Sequence, residues 1–238
     1  MMTMMRDMFS MLLPPGFAAV LLAAISGPTV AQAPPNAADL RVYAGLHAAA
    51  ASGNVGEIER LAAAREKLDV QDALSRTPLH VAAHFGRHAA ARTLLRLGAN
   101  PNAMDAQRYD IVTIAAVRND VEMLNIALAG GANSRAITSP YEGTALIAAA
   151  HLGHAEIVRT LIAAGAPLDH VNNLGWTALM ESIVLGTGGA DHTATLEALV
   201  KAGADVNISD RQGLTPLTHA KNRGYTAMVG ILEAASAH

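Results

Sequence analysis

The chain has 238 residues and a formal net charge of −3 at pH 7; 51% of it is hydrophobic and only 3% aromatic. An apolar mass of Ala, Leu, Val and Ile favours closely packed helices over sheets, and a net charge near zero calls for neither nucleic acid nor an anionic membrane as partner. The chain has no cysteine, which excludes disulfides, thiolate metal sites and cysteine nucleophiles.

At the start, Arg6 precedes an apolar run from Met11 to Ile25, broken at Pro14-Pro15-Gly16. The unbroken part, Phe17 to Ile25, is well short of the roughly twenty residues of a spanning helix. Small residues then lead to Thr29-Val30-Ala31-Gln32-Ala33. Residues 1–31 are therefore expected to be a secretory signal peptide cut after Ala31, or alternatively after Ala33. That leaves no membrane span in the mature form; an uncleaved apolar anchor is the other reading. Residues 32–39 are expected to be a linker.

From Leu40 onward a repeat sets the pattern. The clearest unit is Thr77-Pro78-Leu79-His80, Ala82-Ala83, Gly86, Leu94-Leu95 and Gly98-Ala99-Asn100. Leu46 lies 33 residues before Leu79, Val112 lies 33 after it, and Leu146, Leu179 and Leu217 follow at steps of 34, 33 and 38. The repeats so marked run over about 40–71, 72–104, 105–138, 139–171, 172–209 and 210–238. Thr77, Asp110, Thr144, Thr177 and Thr215 stand where helix N-caps are needed. Pro78 and Pro216 follow at the first helical position, where a missing N–H costs nothing. Gly53, Gly86, Gly153, Gly186 and Gly224, with Asn119 in repeat three, are expected to end the first helices at positive φ. Five extra residues, Thr187 to Asp191, are expected in the turn between the two helices of repeat five.

These motifs closely resemble the ankyrin consensus, over everything beyond the linker. The resemblance implies an all-α solenoid of about six helix-turn-helix repeats with short β-hairpin fingers. It also implies that His47 and His80 form hydrogen bonds in the finger region. The implied function is non-catalytic protein binding by a monomer, with no cofactor.

Chemical sites are weaker readings. His84 and His151 are equivalent positions two repeats apart, about 20 Å at roughly 10 Å per helix layer, too far to share an ion. His151 and His154 straddle Gly153 with no obvious third ligand. Gly186-Thr187-Gly188-Gly189 lacks the lysine and the strand-loop-helix context of a phosphate loop. Glu122 and Glu156 are expected on outer, solvated helix faces. No metal or catalytic residue is assigned.

The aromatic residues point to a binding face. Tyr43, Tyr109 and Trp176 share one position, just before the N-cap; Arg76 and Leu214 hold it in repeats two and six, and Tyr141 lies close by in the lengthened fourth finger. The pairs His84-Phe85, Val117-Arg118, His151-Leu152 and Val184-Leu185 end the first helices. By the ankyrin resemblance both sets line the concave groove. Tyr43, Arg76, His84, Phe85, Tyr109, Arg118, Tyr141, His151, Leu152, Trp176, Leu185 and Leu214 are thus the candidate protein-binding residues. For Trp176, packing against a neighbouring finger is an equally weighted alternative. The expected role is binding a protein partner of unknown identity in the bacterial periplasm. Alternatives are an extracellular effector that binds a target in another organism and, remotely, an enzyme with an unrecognised site.

Overall fold

A computed structural model describes residues 34–236. Helix α1 (Ala37–Val42) comes first, then six helix pairs. The first helices of the pairs are α2 (Gly45–Ser52), α4 (Pro78–His84), α6 (Ile111–Val117), α8 (Ala145–Leu152), α10 (Ala178–Val184) and α12 (Pro216–Asn222). The second helices are α3 (Val55–Ala63), α5 (His88–Arg96), α7 (Val121–Ala129), α9 (Ala155–Ala163), α11 (Ala190–Lys201) and α13 (Thr226–Ser236). First helices stack on first helices and second on second, in sequence order. This gives an inner and an outer layer with the core between them. No helix of the described residues is long and apolar enough to cross a membrane.

The repeated residues do the physical work their spacing implies. Thr77, Thr144, Thr177 and Thr215 each accept the N–H three residues on, and Asp110 accepts that of Thr113 at 2.8 Å. Each such cap is worth about 1 kcal/mol. The alanine pairs Ala49-Ala50, Ala82-Ala83, Ala115-Ala116 and Ala149-Ala150 are all buried between neighbouring repeats. Leu46, Leu79, Leu94, Leu146, Leu161, Leu179 and Leu199 fill the space between the layers. Burying such a side chain contributes about 2 kcal/mol.

Two histidines tie repeats together. His80 Nδ1 accepts the Thr77 N–H, so its Nε2–H donates to the Tyr109 carbonyl of the next finger at 3.1 Å. His47 Nε2 makes the same bond to the Arg76 carbonyl at 2.8 Å.

The fingers are short hairpins, and they differ in how far the strand ladder extends. Among the described residues only one pair of strands forms, β1 (Ile137–Thr138) antiparallel to β2 (Gly143–Thr144). The other fingers are each closed by a backbone bond, from the N–H of Asp72, Asp105, Asn172 or Asp210 to the carbonyl four residues on, and by side chains. Asp72, Asp105, Asn172 and Asp210 each accept the N–H groups two and four residues on, and Ser139 does so in the fourth finger. An Asx side chain standing in for a backbone acceptor holds a turn tight. The residue before each finger's last, Ser75, Arg108, Glu142, Gly175 and Gly213, then takes a positive φ.

The proposed linker also needs correction. Residues 36–39 are not linker, because Asn36 caps α1 in a reciprocal capping box with Asp39. The folded unit therefore begins before Leu40. The inserted segment is corrected too. Helix α11 has 12 residues where α3, α5, α7 and α9 have 9. Three of the five extra residues therefore extend the helix and only two lengthen the turn. Gly186 does not take a positive φ; Gly188 does, at 71°.

Candidate protein-binding surface

The twelve candidate residues separate into props and exposed groups. Arg76 is a prop: it is 2% exposed, with Nε 2.7 Å from Asp72 and Nη2 2.7 Å from Asp39. Tyr109 is buried in the core, and burial raises its phenol pKa. Tyr43 is half-buried; its ring tilts over His47 at 5.0 Å and its hydroxyl donates to Asp72 at 2.6 Å. Trp176 and Leu214 are half-buried. At the position before the N-cap, Tyr43, Arg76 and Tyr109 thus anchor the finger base to the stack, and Arg76 and Tyr109 are too buried to meet a partner.

His84 is a second correction. It is 4% exposed and its Nε2 has no hydrogen-bond partner. Burial, then the nearby His80, Arg76 and Arg118, push its pKa down to about 3, with Asp72 pulling weakly the other way. A base whose folded pKa lies below its unfolded value stabilises fully above the unfolded value, near 6.5. That stability is lost as pH falls from there toward 3. Val117 and Val184 occupy the equivalent position in repeats three and five, so valine fits the site. His84→Val is expected to match or exceed the native stability at pH 7 and to flatten the loss between pH 6.5 and 4. Melting temperature against pH for both proteins checks this; parallel curves would refute it.

The exposed candidates cluster at the ends of the inner helices and on the fourth finger. Arg118, Tyr141, His151 and Leu152 are exposed, while Phe85 and Leu185 are half-buried and Phe85 packs on the core. His151 Nδ1 lies 3.2 Å from Glu181 Oε2, on a carboxylate only 4% exposed whose other oxygen accepts from Asn172 at 2.9 Å. Sequence reasoning missed Glu181 as well as five finger residues. Val70, Leu74, Met104, Ile137 and Val171 on the fingers of repeats two to five, with Tyr141 and Leu152, are each between 37% and 45% exposed. The signal was available as apolar residues flanking the finger's Asx position, but aromatic residues alone do not trace it.

The Gly-rich insertion is a clamp rather than a free loop. Tyr225 of repeat six donates its hydroxyl to the Gly186 carbonyl at 2.9 Å, and its ring packs over Gly188. On the other side His192 Nε2 donates to the His151 carbonyl at 3.0 Å, with its ring against Gly153. The insertion therefore joins repeats four, five and six. Among the described residues no group of three His, Asp or Glu could hold a metal ion. Glu156 is exposed on α9, and Glu122 is exposed on α7, where it pairs with Arg92.

Comparison with known proteins gives consistent matches. The ankyrin repeat family model (three copies) matches residues 18–105 and 112–210. The ankyrin repeat protein YahD of Escherichia coli is 29% identical over 79% of this chain and 94% of its own. An ankyrin repeat domain of Acinetobacter baumannii is similar in structure, with TM-score 0.77 and 41% identity over 80% of this chain and 97% of that one. The ankyrin repeat domain of Bcl-3 matches with TM-score 0.74 and 26% identity, over 82% of this chain and 86% of that one.

Proposed function

This chain belongs to the ankyrin repeat family, and from that premise we propose a non-catalytic protein-binding module exported to the periplasm of a bacterium with two membranes. The ankyrin fold is generally an interaction scaffold without catalysis. The partner lies against the finger tips and the exposed ends of the inner helices. One observation carries this reading: of the exposed large apolar residues described, all except Leu40 and Val42 lie on fingers or at the end of α8. Apolar side chains gathered on protruding turns gain free energy when a partner covers them.

Truncating an interface anchor typically costs about 2 kcal/mol in binding, near thirtyfold. Leu152→Ala and Tyr141→Ala are each expected to weaken capture of the partner from an envelope fraction by about that factor. Their melting temperatures should stay within a few degrees of native, since exposed side chains support little packing. Phe85→Ala and Trp176→Ala, half-buried, are expected to lower stability as well. Glu156→Ala on the outer face is the control. Native capture by both Leu152→Ala and Tyr141→Ala would move the site elsewhere.

Export is supported by the sequence pattern of residues 1–31. Cleavage after Ala31 or Ala33 would leave Asn36 and helix α1 whole. Intact mass of the protein from a periplasmic extract should begin at Gln32, or alternatively Pro34. A start at Met1 would overturn export by this route.

A further inference from the structure

The inner-helix part of the proposed binding surface has a charge of its own, whereas the fingers expose both signs, with Asp69, Glu142 and Asp169 beside Arg108, Arg135 and Arg211. Every exposed ionisable side chain on the six inner helices and the residues capping their C-terminal ends is basic: Arg118, His151, Lys221 and Arg223. Glu181 is the single acid there, and it is buried. The outer helices α3, α5, α7, α9, α11 and α13 carry seven Asp and Glu against five Lys and Arg. So a chain of net charge −3 keeps its exposed acids off the inner layer. Lys221 is drawn to Glu233 of the outer layer at 2.8 Å, and Arg223 lies 6.0 Å from the Tyr225 ring. Arg118 is at the middle of the stack. It occupies the C-cap of α6, and the equivalent positions in the flanking repeats are Phe85 and Leu152. An apolar group, a cation and an apolar group therefore lie in successive repeats, about 10 Å per step.

We propose that this row takes an acidic protein segment, with a carboxylate on Arg118 and apolar side chains on Phe85 and Leu152. The proposal rests on the binding face assigned above and adds the chemistry of its occupant. A guanidinium fork binds a carboxylate through two parallel hydrogen bonds, so the pairing selects position as well as charge. An extended segment rises about 3.3 Å per residue, so one repeat step corresponds to about three residues. The segment then reads as an apolar residue, an acid about three positions on, and a second apolar residue about three positions further. The positive charge of Arg118 at the middle of the row favours such a segment, and its binding falls with added salt.

The test pans a library of random linear peptides against the purified chain and measures the selected peptides by fluorescence anisotropy. Enrichment of an acid flanked by apolar residues at that spacing is expected. Arg118→Glu should weaken those peptides by at least about tenfold and Arg118→Gln by less, with unchanged circular dichroism. Peptides whose acid is changed to lysine should bind Arg118→Glu better than the native chain. Selected peptides that lack acids but are lost on Leu152→Ala would overturn the charge assignment and leave the docking face standing. Peptides that bind Leu152→Ala and Arg118→Glu as well as the native chain would overturn both, and failure to enrich any peptide would overturn the proposal of a linear acidic segment.

Discussion

Replacing Arg76 with alanine is expected to lower the unfolding free energy by about 3–5 kcal/mol, the usual cost of removing one partner from a buried ion pair. The guanidinium is buried between the carboxylates of Asp39 on α1 and Asp72 in the finger of repeat two. Asp39 is held below the ordinary carboxyl range chiefly by its hydrogen bond to Arg76. Burial pulls Asp72 upward, but hydrogen bonds from Tyr43 and from Arg76 outweigh it and keep that carboxyl low as well. Without the cation, two carboxylates face each other across a cavity, and α1 loses the contact that ties it to the second repeat. None of the residues of α1 is buried, so little apolar packing of the helix replaces that contact. Asp39→Asn should cost less, because that side chain is 26% exposed and its charge is partly solvated. Urea unfolding gives the free energies, and hydrogen exchange should show that α1 and α2 lose protection first. A loss below about 1 kcal/mol for Arg76→Ala would mean that water replaces the guanidinium at little cost.

Gly186→Ala is expected to cost about 3 kcal/mol, the upper part of the range for overpacking a tight site. A Cβ at Gly186 would overlap the Ser182 carbonyl oxygen and also meet the His192 ring at 2.7 Å. The first contact is with backbone inside α10 and cannot be relieved by a rotamer change. Relief requires the start of the clamp to move, which disturbs the Tyr225 bond to the Gly186 carbonyl. Gly165→Ala is the comparison. Gly165 has φ of 78° and nothing within 4 Å of a built Cβ, so only the left-handed strain remains, about 1 kcal/mol. Thermal melts of the two variants separate steric overlap from backbone strain. Equal losses would show that the insertion yields easily and does not clamp repeats five and six.

The repeat was legible because its signals are local. A threonine or aspartate that caps a helix, a proline after it, an alanine pair and a glycine at the end each act on backbone within a few residues. They keep their meaning wherever the repeat sits in the stack. Arg76 shows where such reading stops. In the linear sequence it occupies the same position as Tyr43, Tyr109 and Trp176, and an arginine or aromatic there resembles an exposed anchor. Its burial is decided by Asp39, 37 residues away, and by a helix in what reads as a linker.

The sequence by itself determined the architecture of this protein: six helix pairs, their order, their caps, and the alanine faces along which they pack. Those features repeat, and a repeating one-dimensional pattern specifies a stack whose units touch only their neighbours. Only the tertiary structure decided which members of one repeat position reach solvent. Tyr109 and His84 are buried, whereas Leu152 and Arg118, at the ends of the inner helices, are exposed. Tertiary structure also turned the Gly-rich insertion into a clamp, because the Tyr225 and His192 partners that fix it come from across the fold or from the extended helix itself. Exposure and long-range partnership depend on which side chains the stack brings over a residue, and spacing along the chain carries no record of that.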